Sequence, residues 1–187
     1  MGKKRKPFPS DEAGVEYVEV TDQSNRPLAV LSHGEAHRQG LRHRSVLALL
    51  YDREHKLLLK RRDSQEALYP SRWDIPASGP VKPGESAEEA VCRELDLRLD
   101  IKSPVLKRRC EIAASPETGF EFVTIFYAFG LIERPGFAAA HCEDGLFVNQ
   151  EELRFLVERF RDQLAPGVVF LCEKELIYPA RPALAVI

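Results

Sequence analysis

The stretch Gly79–Ile101 reads GPVKPGESAEEAVCRELDLRLDI. Five residues separate Gly79 from Glu85, seven separate Glu85 from the Arg93-Glu94 pair, and aliphatic Leu95 follows. Ser86 and Glu89 have the Ser-x-x-Glu spacing of a capping box, in which each side chain satisfies the other's free backbone N–H. Ala87, Ala90, Val91 and Leu95 then fall on one helical stripe. The spacing predicts a helix from Ser86 to about Arg98, entered from a loop at Ser71–Gly84 that holds three prolines and two glycines. Its far end reads two ways, because Leu95, Leu97, Leu99 and Ile101 also alternate at the period of a strand.

Before the loop, EYVEVT (16–21) and LAVL (28–31) flank the turn-rich DQSNRP and read as a hairpin. Ser32 is placed to cap a short helix, His33 to Gln39, closed by Gly40. SVLALLYD (45–52) is an unbroken apolar run, the pattern of a strand buried on both faces, and HKLLLKRR (55–62) follows it closely. After the helix, strands fit Val105–Ala113, Phe120–Phe129 and Leu146–Asn149. Asn149 or Gln150 opens an amphipathic helix carrying Leu153, Phe155, Leu156, Phe160 and Leu164. APGVVFLCEKELIYP reads as a last helix with Pro166 in its first turn. The expected class is α/β, a mixed sheet layered between helices.

At 187 residues the chain suits one domain with a sizeable core. The expected division is a mobile basic tail at 1–12, from MGKKRKPFP, and one domain at 13–187 with an N-terminal hairpin and a C-terminal helical extension. A net charge of −2 gives no global attraction for nucleic acid. No apolar stretch follows the basic start, so neither a leader nor a membrane anchor is expected. Four scattered cysteines without a C-x-x-C pair suit a reducing, cytoplasmic location. Oligomeric state is not legible.

Gly79, Glu85, Arg93, Glu94, Leu95 and Ile101 resemble the Nudix box, which implies the Nudix fold and divalent-metal chemistry on diphosphates. In that box an acidic pair and a glycine stand where this chain has Leu97-Arg98 and Asp100. A wider resemblance, from about Glu16 to Phe129, is to the isopentenyl-diphosphate-isomerase-like branch of the superfamily and its uncharacterised hydrolase relatives. GLRHRSVLALLYD (40–52), LLLKRRDSQEALYPSRWD (57–74) and the box carry it. The isomerase has a cysteine and a metal-binding histidine beside the box glycine. Ser78 and Pro80 stand there in this chain, so isomerisation is not expected.

The resemblance implies that Glu94 and Glu121 are catalytic and ligate metal, with His43 as a third ligand, and that Glu85 and Arg93 pair structurally beside Gly79. A diphosphate needs Mg²⁺ or Mn²⁺ to offset its charge, and a helix presents carboxylates together at i, i+3 and i+4. From Glu94 those positions hold Leu97, which has no oxygen, and Arg98, a permanent cation. Arg62, Arg72 and Arg98 are the candidate phosphate contacts, and Trp73 a candidate stacking ring. Plainer readings stand beside these: a solvated Glu94 paired to Arg98, a structural His43, Glu121 at a strand edge, and a packing Trp73. Two functions follow. One is a metal-dependent hydrolase cleaving a diphosphate linkage in a nucleoside diphosphate derivative, weakened by the missing acids. The other is an inactive Nudix-fold module binding a diphosphate or nucleotide, with Arg98 in place of metal charge.

Overall fold

The computed structural model describes residues 14–66, 68–102, 105–129 and 145–178. The expected basic tail and the last residues of the C-terminal extension lie outside them. β1 (Tyr17–Thr21) and β2 (Pro27–Ser32) form the hairpin, a two-stranded sheet of its own. Ser32 then caps α1 (His33–Arg38), its hydroxyl accepting from Glu35 N.

β3 (His43–Tyr51) begins two residues earlier than its apolar run suggests and is the centre of the main sheet. It runs parallel to β8 (Glu121–Phe129) along its whole length and antiparallel to β6 (Ala77–Pro80). β4 (Leu57–Arg61) pairs β3, β5 (Trp73–Asp74) and β9 (Gly145–Val148), while β7 (Lys107–Ile112) lies beyond β8.

Alternation along β3 sorts its side chains between two cores. Val46, Ala48 and Leu50 pack under α2 (Ala87–Leu99) against Ala90, Val91, Leu95 and Leu99. Leu47, Leu49 and Tyr51 pack on the other face against α3 (Gln150–Arg159) and α4 (Pro166–Glu173), through Leu153, Val168 and Leu171. The mixed sheet is therefore covered on both faces, as the apolar run of β3 requires.

The two readings at the end of α2 resolve as helix. Leu95 and Leu99 are buried while Leu97 is 72% exposed. The helix stops at Asp100, which adopts the left-handed conformation (φ 50°, ψ 33°) and donates its N–H to Asp96 O and Leu95 O. This is the position at which the box resemblance calls for glycine, the residue that takes that conformation without a Cβ penalty. Asp100→Gly is therefore expected to stabilise the fold by about 0.5–1 kcal/mol, read as a higher midpoint in urea denaturation. The exposed contact of Asp100 with Lys102, 3.4 Å, offsets little of this.

α3 is shorter than its periodicity predicts. Asn149 caps it with Glu152 as a capping box, but Phe160 leaves the helical region and Leu164 lies beyond the end. The competing pull is tertiary: Ala165 N donates to Trp73 O at 2.8 Å, which draws Leu164 alongside β5.

Candidate functional site

The loop–helix unit from Gly79 to Leu99 is knit by its arginines. Arg93 donates to Glu85 through Nε and Nη2, both at 2.9 Å, to the Pro80 carbonyl at 2.8 Å, and to Glu94. These bonds to Glu85, against the opposing effect of desolvation, raise the Arg93 pKa above the ordinary guanidinium value. Glu94 is only 2% exposed, so it is not the solvated side chain of the plainer reading. Its Oε1 accepts from Arg93 and its Oε2 from Arg98 Nε, the latter at 2.9 Å.

The carboxylate rests on Gly79. A Cβ built at that glycine would stand 2.4 Å from the Glu94 carboxyl carbon. The box glycine is thus the backbone floor on which Glu94 lies, and no residue with a side chain leaves that space open.

Arg98 also lines a cleft of about 800 Å³, with Lys60, Arg61, Arg62, Asp74 and Ser78 around it. The cations there differ in how far they are committed. Arg62 is spent on Asp74 at 2.7 Å, on Glu66 and on the Leu68 carbonyl at 3.0 Å. Burial raises the Asp74 pKa, with Arg62 opposing the rise. Among the described residues Arg61 donates Nε alone, to Ser71 O at 2.8 Å, and stands 5.9 Å over the Trp73 ring. Among the described residues Arg98 uses Nε alone, and its side chain is 52% exposed. Lys60 has no ion-pair partner among the described residues. Of the cations lining this cleft, Lys60, Arg61 and Arg98 are therefore the least committed to partners within the chain, among the described residues. Arg72 is elsewhere: it lies over Tyr69 at 5.5 Å, bonds Leu164 O at 3.4 Å, and lines a different cleft beside α4.

The structure brings His43 and Glu121 together, paired in register at the start of β3 and β8. Alternation places both on the α4 face of the sheet, since His43 shares parity with Leu47 and Glu121 with Ile125, both in that core. Glu94 lies across the sheet under α2, so the three expected metal ligands do not form one centre. Two imidazoles join His43 and Glu121 instead. His33, His37, His43 and Glu121 each offer a ligand atom within 4.8 Å of the others. His37 Nε2 is 2.9 Å from His33 Nε2 and 3.2 Å from Glu121 Oε1, while His43 Nε2 is 3.6 Å from the same oxygen.

The electrostatics of the cluster are coupled. Burial, and after it the neighbouring imidazoles, lower the His33 pKa to about 4, so that ring is neutral at pH 7. Burial would raise Glu121, but His37 and His43 outweigh it and bring its carboxyl down to about 2. His43 is raised although burial disfavours its cation, because Glu121 and the Leu41 carbonyl favour it. His33 and His37 are absent from the reading of the box; the signal that finds them is H-x-x-x-H within one short helix, which puts both rings on one face.

Comparison with known proteins agrees with this architecture. Residues 41–129 match the family model of the NUDIX domain, which places that segment of the chain in the Nudix superfamily. A Pseudomonas aeruginosa protein named as an uncharacterised Nudix hydrolase is 35% identical over 92 residues, 49% of this chain and 54% of that one. A Yersinia pestis protein of the same description is 33% identical over 89 residues, 48% and 49% of the two chains. The match thus spans about half the length of these curated relatives. DR0079 from Deinococcus radiodurans superposes with a TM-score of 0.71 at 19% identity, covering 85% of this chain and 98% of that one. Shewanella oneidensis NrtR, solved with a 27mer DNA, reaches 0.52 at 19% identity over 70% and 59%. Both likenesses are of fold alone. Among the described residues no helix is long and apolar enough to cross a membrane.

Proposed function

We propose that the protein binds a diphosphate-bearing small molecule, a nucleotide or nucleoside diphosphate derivative, in the cleft between the end of β4, β6 and the end of α2. In this reading guanidinium charge replaces the box metal ions. One observation carries it: both oxygens of Glu94 are taken by arginines, and the next positions on its face are a hydrocarbon and one of those arginines. Magnesium prefers oxygen ligands in octahedral array, and this helix face offers one buried carboxylate already neutralised. The box residues do not fit the ion. Arg98, Arg61 and Lys60 bind and orient the phosphates, with Arg98 suited to two parallel bonds. Trp73, under Arg61, stiffens that wall of the cleft.

The test is binding of ADP and CDP by calorimetry. Arg98→Ala is expected to weaken the better ligand by about tenfold or more, the scale of one charge-assisted contact. Arg72→Ala leaves it unchanged, because Arg72 faces another cleft. Equal affinity of parent and Arg98→Ala contradicts the assignment.

A second reading is favoured by the cluster at His43 and Glu121. Their donor atoms fit a divalent ion, and the buried His43 Nε2 has no hydrogen-bond partner among the described residues. When bound, such an ion supplies Lewis acidity for water attack on a diphosphate, making the protein a hydrolase using Mg²⁺ or Mn²⁺. Incubating nucleoside diphosphate derivatives with either ion, and scoring release of a phosphorylated product, separates the two. Turnover abolished by Glu121→Gln supports the hydrolase; ligand binding without turnover supports the binding module.

A further inference from the structure

We propose that Ser64 is a phosphorylation site, and that its phosphate folds back onto the cations of the adjoining cleft and closes it to diphosphates. The closure rests on the nucleotide reading of that cleft; the modification and the seating of its phosphate do not. Ser64 lies in the turn that leaves β4, three residues past Arg61 and two past Arg62. Two guanidiniums ahead of a hydroxyl form a charge pattern that protein kinases with acidic substrate grooves select. The phosphoryl donor is then a nucleoside triphosphate with Mg²⁺. Ser64 Oγ bonds the γ-phosphorus, the bond from that phosphorus to the β,γ-bridging oxygen breaks, and the nucleoside diphosphate leaves. The hydroxyl proton passes to the base of the kinase.

Three serines among the described residues line the cleft, and their settings differ. Ser78 is half-buried in the ladder of β3 and β6, opposite Leu47. Ser71 is half-buried in left-handed backbone (φ 59°), with its carbonyl held by Arg61 Nε at 2.8 Å. Ser64 is exposed, lies between ladders, and accepts from Gln65 Nε2 at a slack 3.5 Å. A loop serine can enter another enzyme's active site without parting two strands.

The cleft gives the phosphate a seat. Lys60, Arg61, Arg62 and Arg98 line it together with three acids, Asp63, Glu66 and Asp74. The acids are engaged. Asp63 accepts from Gln65 N at 2.8 Å, Asp74 from Arg62 at 2.7 Å and Ile75 N at 2.8 Å, and Glu66 from Arg62. Arg62 is the cation these pairs absorb, so Lys60, Arg61 and Arg98 leave surplus positive charge in the cleft that Ser64 lines.

A phosphoserine brings a charge of about −1.5 to −2 and strong acceptor oxygens, and opposite an arginine cluster it forms about one to three charge-assisted bonds. Because it is tethered to the same chain, it competes for those cations at an effective concentration on the order of millimolar. A diphosphate from solution then meets guanidiniums already occupied.

The experiment incubates the full chain with Mg²⁺-ATP and a purified arginine-directed serine kinase, and maps the label by mass spectrometry. One phosphate is expected on Ser64 and none there in Ser64→Ala. Labelling of Arg61→Ala should be about tenfold slower or more, the scale of one charge-assisted contact. Phosphorus NMR then follows the phosphoserine through its second ionisation, ordinarily near pH 6. Seated in the cleft it should titrate about one unit lower, and move back towards 6 in phosphorylated Arg98→Ala, whose arginine is remote in sequence. ADP affinity, by calorimetry, should fall by about tenfold or more on phosphorylation. No label on Ser64, or a phosphoserine titrating near 6 in the parent and Arg98→Ala alike, overturns the proposal. Unchanged ADP affinity after labelling overturns the closure. If the unmodified protein binds no ADP, the nucleotide reading falls, and the titration still decides whether the phosphate seats in the cleft.

Discussion

Gly79→Ala is expected to destabilise the fold by about 3 kcal/mol or more, lowering the melting temperature by about 10 °C. The added Cβ meets the Glu94 carboxyl carbon at 2.4 Å. That carboxylate is the end of a flexible side chain and in principle can swing aside. Here movement breaks the bonds to Arg93 and Arg98 and leaves a half-buried guanidinium short of a partner. Overpacking and loss of a buried ion pair therefore act together. Glu94→Ala in the same background removes the clash, so the two substitutions should couple strongly in a double-mutant cycle. A loss below about 0.5 kcal/mol for Gly79→Ala, the range of inert surface changes, would mean that Glu94 is not held on the glycine.

Replacing Leu97 and Arg98 together by glutamate is expected to create Mg²⁺ binding at this turn of α2. Arg98 Nε lies 2.9 Å from Glu94 Oε2, so a carboxylate at 98 is brought beside that of Glu94 and left without its guanidinium. Two like charges so close destabilise the helix end until a cation enters. The measurement is the melting temperature with and without Mg²⁺. Saturation at about 100 times Kd adds about 2.7 kcal/mol to the variant beyond any effect on the parent. Restored carboxylates should also raise diphosphate hydrolysis, because the ion then offsets phosphate charge. A folded variant that melts at the same temperature with and without Mg²⁺ would show that this turn does not present its acids to a common point.

Much of the fold was legible because local signals and global packing agree. The capping box Ser86–Glu89, the cap of α1 at Ser32 and the apolar run of β3 each specify one structure and meet no competing demand. Where tertiary forces compete, the sequence misleads. The periodicity of α3 carries through Phe160 and Leu164, yet the pull of Trp73 on the following segment ends the helix at Arg159.

The candidate site was legible only in part, for a similar reason. Spacing places Glu94, Arg98 and Arg93 on or beside one helix, and local geometry is what spacing encodes. It does not encode which face of the sheet His43 and Glu121 occupy, because that depends on the pairing of β3 with β8 across most of the domain. Nor does it show that Arg72 belongs to another cleft, or that Arg62 is already committed to Asp74 and Glu66.

The central claim is that arginine has taken over the charge of a metal centre at the box. Calorimetric titration of ADP into the protein, once in excess Mg²⁺ and once in excess chelator, tests it most directly. The account predicts the same Kd in both, within about twofold, or about 0.4 kcal/mol. Binding that collapses by tenfold or more when Mg²⁺ is withdrawn would contradict it.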